Sequence, residues 1–282
     1  MEKKNANWIL NTDGSIYHLC LKPEDVPSNI LTVGDPDRVP EVSRHFDTIH
    51  KKIRNREFEI HIGKLGGHDI LAMSTGMGTD NIDIVMQELD ALVNVDFSTM
   101  EAKHEIKSLK IIRLGTSGSI QPHISVDQIL LTDFAISMDN LHRHYVLKRK
   151  FENYEMELFP FLGMVHVTRA DADLLNQFQS HKTLLGNTLT APGFYGPQGR
   201  KTRLPLREDS IIEKLSDADF SFGKITNMEM ETSGIYSLGE SLGHKCLSVN
   251  AILAQRNTNQ FSTNPAGIVK QMIEYVFSRL VF

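Results

Sequence analysis

Short apolar runs alternate along the chain with longer segments in which apolar residues recur at helical spacing. Residues 30–34, 70–74 and 110–115 are typical of buried strands, whereas residues 81–93 have the spacing of a helix. Further strands are predicted at 128–132, 165–168, 188–191 and 246–253, and further helices at 230–242 and 265–281. This alternation predicts an α/β sandwich. No repeat, low-complexity tract or Pro/Ser linker marks a second domain, so we expect one domain over residues 1–282.

Two polar stretches interrupt this pattern. Residues 95–109 lie between a predicted helix and a predicted strand, so we expect a surface extension there. Residues 142–157 carry mixed charges without clear periodicity, and we expect a loop with a short helix. This stretch begins with His142, Arg143 and His144, but no third ligand lies nearby, so no metal site is predicted.

The composition is that of an ordinary soluble enzyme, with 40% hydrophobic and 23% charged residues. A formal net charge of −5 gives no reason to expect binding to nucleic acid or to an anionic membrane. Cys20 and Cys246 belong to no CxxC pair or His/Cys cluster, which favours a reducing compartment over a disulfide framework. The charged start at residues 1–8 and the lack of a long apolar run lead us to expect a cytoplasmic protein.

The first motif with chemical content is VGDPDRV at residues 33–39, where an apolar strand runs into a turn. Gly34 would let the backbone approach an anion, and Arg38 would hold that anion with a planar set of donors. Loops at the carboxyl edge of a sheet are where α/β proteins place ligands. The alternative interpretation of this segment alone is a turn followed by a solvated arginine.

The second motif is IRLGTSGSI at residues 112–120, in which a predicted strand carries Arg113. Arginine is rare inside a buried strand because its charge is costly to desolvate, and a bound anion is the simplest resolution. Thr116 and Ser117 follow beside two glycines. No GxxxxGK[ST] or GxGxxG pattern is present, so inorganic phosphate fits better than a nucleoside triphosphate or a dinucleotide.

The third motif is NMEMET at residues 227–232, which we interpret as a loop entering a helix. In such a loop Glu229 and Glu231 would not both point the same way, so one would face the ligand and the other would support the fold. The pair is weak as a set of catalytic carboxylates, because acid/base chemistry needs a defined gap across the scissile bond. As a hydroxyl acceptor, Glu231 suits a sugar diol.

Five strings occur in the order and approximate spacing of one enzyme family: VGDPDRV, MSTGMG, IRLGTSGSIQPHI, FYGPQGR and NMEMET. Together they resemble uridine phosphorylases over residues 16–256. The resemblance implies a nucleoside phosphorylase-like, three-layer α/β/α sandwich with a central mixed sheet. It also implies a pentosyltransferase that uses phosphate to split a pyrimidine nucleoside, reversibly, into free base and ribose 1-phosphate.

The resemblance further implies a set of ligand contacts. Phosphate would be bound by Gly34, Arg38, Arg113 and Thr116, with Arg56 from an adjacent subunit. Ribose would be bound by Glu229, Met230 and Glu231, with His18 from the neighbouring subunit. The active site would then require a homo-oligomer, either a dimer or a hexamer built as a trimer of dimers.

The base pocket implied by the resemblance consists of Phe194, Gln198, Arg200 and Arg256. A glutamine amide offers a donor and an acceptor and an arginine offers donors, which together match one edge of uracil. Purine-type relatives carry an aspartate at the place of Ala254, where it protonates the purine ring. We therefore expect a pyrimidine, although a purine or broad-specificity phosphorylase stays open as the alternative.

The catalytic residues expected from the resemblance are Arg113, Gln198, Arg200 and Glu231. Phosphate would be a co-substrate and no cofactor would be required. A potassium ion near Glu57 and Ser74 is a further possibility, because these positions resemble a monovalent-cation site in some relatives. A nucleosidase that uses water would leave Arg38, Arg56 and Arg113 without an anion, and a non-catalytic nucleoside-binding protein is the more distant alternative.

Overall fold

A computed structural model describes residues 7–148 and 153–280. Residues 1–6 of the charged start, residues 149–152 of the 142–157 stretch and residue 281 of the predicted last helix lie outside the described residues. The strands are β1 Asn29–Val33, β2 Thr48–Asn55, β3 Phe58–Leu65, β4 His68–Ser74, β5 Val95–Asp96, β6 Glu101–Ala102, β7 Lys110–Ser119, β8 Ile129–Ser137, β9 His166–Arg169, β10 Thr183–Thr190, β11 Ile225–Glu229, β12 Lys245–Gln255 and β13 Gln260–Phe261. The α-helices are α1 Val39–Ser43, α2 Thr79–Asn94, α3 Asn153–Leu162, α4 Ala172–Phe178, α5 Ile211–Asp217, α6 Thr232–Leu242 and α7 Pro265–Arg279. Short 3₁₀ helices cover Pro23–Asp25, Pro36–Arg38, Leu141–Arg143 and Gly196–Gln198.

The long strand β7 organises the central mixed sheet. Its first half pairs in parallel with β1, its full length pairs in parallel with β12, and Gly118 and Ser119 pair antiparallel with β11. Because β12, β8, β10 and β11 also pair in that order, these four strands and β7 close into a ring. On its other side β7 continues through β1 and β4 into the antiparallel strands β3 and β2.

The predicted sandwich is confirmed by the way neighbouring strand residues face opposite layers. Ile30 of β1 packs in one core cluster with α2 and α6, whereas the next residue, Leu31, packs in another with α1, α4 and α7. Leu71 and Ala72 of β4 divide in the same way. Successive strand side chains point to opposite faces, so an unbroken apolar run buries both faces of the sheet.

Several predicted bounds needed correction. Residues 227–229 are the end of strand β11 and not part of a loop, and α6 begins at Thr232. The predicted strand at 188–191 begins earlier, at Thr183. Strands β2 and β3 were not predicted, because their charged residues interrupt the apolar pattern. The polar stretch at 95–109 forms the small β5–β6 hairpin and is largely exposed between its buried ends.

No helix within residues 7–148 and 153–280 combines the length and apolar character needed to cross a membrane.

Candidate active site

Two loops converge beyond the parallel strands β1 and β4. A Cβ built on Gly34, after β1, would lie 3.6 Å from the carbonyl oxygen of Gly76, after β4. Gly76 and Gly78 both have positive φ, at 70° and 91°, which is backbone geometry that glycine adopts without strain. The Gly78 amide donates to Glu231 Oε1 over 2.8 Å, so the loop that precedes α2 also positions Glu231, which is predicted to bind ribose.

Arg113 is 5% exposed and has ionic partners within the chain. Its Nη2 donates to Glu231 Oε2 over 2.5 Å and lies 3.1 Å from Glu229 Oε2. Nη1 donates to Asn250 Oδ1 over 3.0 Å. Two carboxylates of the chain thus compensate the charge, so the burial of Arg113 does not by itself indicate a bound anion. Burial alone would lower the pKa of Arg113, but Glu229 and Glu231 outweigh it and raise the pKa.

Gly115 makes this position of the Arg113 guanidinium possible. A Cβ at Gly115 would lie 1.6 Å from Arg113 Nη1 and 2.4 Å from Cζ. Residues i and i+2 of a strand share a face, so the side chain of Arg113 lies back across the backbone of Gly115. The glycine in the IRLGT string is thus required by close approach of a side chain.

Glu229 and Glu231 both reach Nη2 of Arg113, so the expectation that they would point in different directions was wrong. They nevertheless have different surroundings. Glu229 Oε2 accepts from the amides of Glu231 and Thr232, and its Oε1 accepts from Thr190 Oγ1 over 2.6 Å. Glu229 therefore supports the strand-to-helix turn, and its contact with ribose stays a prediction. Burial raises the pKa of Glu231, while Arg113 acts to lower it.

Arg38 lies close enough to Arg113 for their charges to interact. Burial, followed by the positive charge of Arg113, lowers the pKa of Arg38, and Asp35 opposes this shift. Arg38 makes no ion pair within the described part of the chain. A half-buried, unpaired guanidinium next to a second arginine is suited to an anion. Thr116 is half-buried three residues beyond Arg113 on the same strand.

Gln198, Arg200 and Arg256 form a second polar cluster. Arg200 Nη1 donates to Gln198 Oε1 over 2.7 Å, and Arg256 Nη2 donates to the Gln198 carbonyl over 2.9 Å. Burial and the nearby Arg256 lower the pKa of Arg200 to about 10. Nη1 of Arg256 is buried and has no hydrogen-bond partner among residues 7–148 and 153–280. The cluster therefore presents concentrated positive charge with an unused donor.

Phe194 lies beside this cluster and its ring is half exposed, at 52% of the residue surface. The Arg200 guanidinium carbon lies 3.7 Å from the centroid of the ring, and Arg200 Nη1 also donates to the Phe194 carbonyl. One face of the predicted stacking surface is thus covered by Arg200. A base that stacks on Phe194 has only the other face available in this arrangement.

The segments that carry His18 and Arg56 lie next to each other. Asn55 donates to the His18 carbonyl over 2.7 Å, and the Arg56 guanidinium carbon lies 5.8 Å from the centroid of the Tyr17 ring. Arg56 is exposed and has a positive φ of 53° in the turn between β2 and β3. Neither side chain hydrogen-bonds to Arg113 or Glu231 in the described part of the chain.

Glu57 and Ser74 are joined to each other by a hydrogen bond. Ser74 Oγ donates to the Glu57 carbonyl over 2.6 Å and accepts from the Glu59 amide over 2.7 Å. These bonds involve the backbone carbonyl of Glu57 and not its carboxylate, so a potassium ion near Glu57 and Ser74 stays a prediction. We derive no step of the chemistry through potassium.

A protein-family model described as "Phosphorylase superfamily" matches residues 29–274, which include both polar clusters.

The chain belongs to the phosphorylase superfamily.

Named relatives resemble this superfamily member over most of its length. The uridine phosphorylase of Thermococcus kodakarensis is 29% identical over 252 residues, which cover 88% of this chain and 80% of that protein. The uridine phosphorylase of Haemophilus influenzae is 26% identical over 274 residues, covering 94% and 96%. A solved Trypanosoma brucei nucleoside phosphorylase, whose structure is described as showing uridine phosphorylase activity, has a TM-score of 0.86 and 26% identity, covering 97% of this chain and 99% of that one.

The structure of this phosphorylase superfamily chain also adds residues to the site that sequence reasoning missed. Asn250 and Ser248 of β12 lie beside the Arg113 guanidinium, at 3.0 and 3.5 Å from Nη1. A signal for them was present in the sequence: polar residues at alternate positions of the otherwise apolar 246–253 run must share one face of a buried strand.

Proposed function

We propose that this chain is a uridine phosphorylase, which transfers ribose from uridine to inorganic phosphate and releases uracil. The observation that carries the proposal is the buried ion pair of Arg113 with Glu231, beside the unpaired Arg38. These contacts support the proposal, because an arginine that would bind phosphate and a carboxylate that would accept from ribose hydroxyls lie together. The names of the relatives and the QGR segment support uridine as the nucleoside.

Phosphate would serve as the nucleophile at C1′ of the ribose, with Arg38 and Arg113 supplying donors. Glu231 would orient the sugar by accepting from its hydroxyls while it remains paired with Arg113. Confining phosphate and nucleoside in one site removes much of the entropic barrier of a bimolecular reaction, up to about 7–11 kcal/mol. The chain thus contributes placement and charge at an oxocarbenium-like transition state.

The glycosidic bond would break with its electron pair moving to the base. Negative charge then develops on the uracil oxygens, close to Arg200 and the unpartnered Nη1 of Arg256. Donors fixed before the reaction stabilise such charge without reorganising during it. Gln198 Nε2 is a further donor, because its Oε1 already accepts from Arg200.

Phosphate-dependent turnover of four nucleosides tests this proposal directly. We expect uridine to be cleaved in phosphate buffer and inosine and adenosine to be slower, because no acid stands at Ala254 to protonate a purine. Thymidine shows whether a second pyrimidine nucleoside is accepted. Release of ribose 1-phosphate and free base should be measured by chromatography over a phosphate titration.

Cleavage that continues unchanged without phosphate would instead show a hydrolase, and faster cleavage of inosine would show a purine phosphorylase. A protein that binds uridine in calorimetry yet releases no base under any of these conditions would be a binding protein.

We further propose that two chains share each active site. Arg56 is exposed and His18 is half-buried, their segments contact each other, and neither side chain bonds to Arg113 or Glu231 within the described residues. A twofold dimer brings the same surface of each copy against the partner, so each chain would contribute its His18 and Arg56 to the active site of the other chain. Phosphate would then be held by Arg38 and Arg113 of one chain and by Arg56 of its partner.

Co-expression of two inactive variants tests the shared site. We expect Arg113→Ala and Arg56→Ala to be nearly inactive alone and to recover about a quarter of wild-type activity together, since about half of random dimers are mixed and one of their two sites is intact. The matched control is Arg113→Ala with Gln198→Ala, which places both changes in the same chain's portion of the site and should recover nothing. Equal recovery by both pairs, or by neither, would contradict the shared site.

We also infer a reducing, cytoplasmic compartment for the enzyme. Cys20 and Cys246 are both free thiols, and burial raises the pKa of Cys246 far above its ordinary value. A thiol kept neutral and buried in this way is chemically inert and serves as a small apolar residue.

A further inference from the structure

A buried carboxylate of helix α2 contacts three groups of the segment that carries His18. Glu88 Oε1 lies 2.6 Å from His18 Nδ1. Glu88 Oε2 accepts from the backbone amide of Leu19 over 2.9 Å, and the His18 amide lies 3.2 Å from both oxygens. The Glu88 side chain is 10% exposed, whereas that of His18 is 26% exposed.

These contacts decide which ring nitrogen of His18 carries the proton. A carboxylate only accepts hydrogen bonds, so Nδ1 must be the protonated nitrogen that donates to Glu88. The neutral ring then has an unprotonated Nε2, and no bond engages this atom within residues 7–148 and 153–280. An Nε2 lone pair at a partly exposed ring accepts hydrogen bonds from hydroxyl groups.

We propose that Glu88 is a positioning residue that fixes His18 as the Nδ1–H tautomer and directs Nε2 as an acceptor toward a ribose hydroxyl of the nucleoside. This inference rests on the proposed function for the identity of the ligand. The placement of Glu88 itself argues for a role beyond packing, since its carboxylate occupies the apolar stripe of α2 between Val85 and Leu89. Ionisable groups are seldom buried unless they are paired.

Helix α2 supports Glu88 and, through it, the His18 ring whose Nε2 is the proposed acceptor. Gly78 is the N-cap of the same helix and its amide donates to Glu231, and Glu88 follows ten residues later, about 15 Å along the axis. The helix therefore supports the ribose-orienting carboxylate of its own chain and the histidine that we propose for the partner's site.

The substitution Glu88→Gln changes the tautomer without removing the side chain. A glutamine has one acceptor oxygen, which the amides of His18 and Leu19 require at the place of Oε2. Its NH2 group then faces Nδ1, which must become the acceptor, and the ring proton moves to Nε2.

The first measurement is the ¹⁵N NMR spectrum of the imidazole rings, with His18→Ala used to assign the His18 signals. We expect an Nδ1–H ring for His18 in the wild-type protein and an Nε2–H ring in Glu88→Gln. This readout needs no turnover, so it decides the positioning role even if the proposed function fails. An Nε2–H ring in the wild-type protein, or an unchanged tautomer in the variant, would overturn the proposal.

The second measurement compares uridine with its 2′-, 3′- and 5′-deoxy analogues. We expect Glu88→Gln to raise KM for uridine by up to about tenfold with a smaller change in kcat, because one neutral hydrogen bond is altered. The analogue that lacks the contacted hydroxyl should show the same KM in wild type, Glu88→Gln and His18→Ala. An equal rise in KM for every analogue would show a general structural defect and would contradict the proposal.

Asp90→Asn is the matched control. Asp90 is a second partly buried carboxylate of α2 that lies 3.4 Å from a histidine nitrogen, Nε2 of His244, away from the His18 segment. We expect this variant to leave the His18 tautomer and the KM for uridine unchanged. A change as large as that of Glu88→Gln would show that the effect comes from helix α2 in general.

Discussion

The Arg113→Ala variant should lose about 10²–10³-fold in kcat for uridine, the usual cost of removing a group that stabilises charge at a transition state. It should also raise the apparent KM for phosphate, because one of the two proposed phosphate-binding arginines of the chain is lost and only Arg38 remains. Initial rates over a phosphate titration, with uridine in excess, measure both effects. Normal phosphate dependence in this variant would show that the anion binds elsewhere.

The same substitution should lower stability, because it leaves Glu229 and Glu231 buried without their cation. Breaking a buried pair in this way costs about 3–5 kcal/mol. Arg113→Lys separates the two effects: it keeps a charge for the carboxylates but loses the planar fork. Arg169→Ala is the control, since this 59% exposed arginine pairs with Asp133 outside the site and should leave turnover unchanged.

The Arg200→Ala variant should lose about 10²–10³-fold in kcat for uridine, because Arg200 supplies positive charge where the leaving uracil becomes negative. The loss should be smaller for 5-fluorouridine, whose electron-withdrawing fluorine stabilises the departing base and leaves less charge for the protein to stabilise. The ratio of kcat values for the two substrates, in wild type and variant, measures this dependence.

Arg203→Ala is the matched control for Arg200→Ala, because it removes an exposed arginine three residues along the same segment. We expect wild-type rates with both substrates. Equal losses for uridine and 5-fluorouridine in Arg200→Ala would contradict a role at the leaving base. They would indicate that Arg200 acts by supporting Phe194 and Gln198, which it also contacts.

The sequence by itself determined the layers of this protein and the places of its motifs. Unbroken apolar runs such as 70–74 predicted strands buried on both faces, and the 81–93 spacing predicted α2 to within two residues at its start. These features are local, because the burial of a strand and the amphipathicity of a helix depend on residues only a few positions apart in the sequence. The motif strings likewise located Arg38, Arg113 and the QGR segment along the chain.

Only the tertiary structure decided which charges pair. Arg113 meets Glu231 from 118 positions away, and His18 meets Glu88 from 70 positions away. From the sequence, Arg113 lacked a partner and His18 lacked a preferred tautomer. Solvation and pairing of a buried charge depend on every element packed around it. The pairing of β7 with β11 and β12 brings Arg113 to Glu231, whereas the packing of α2 against the segment of His18 and Leu19 brings His18 to Glu88.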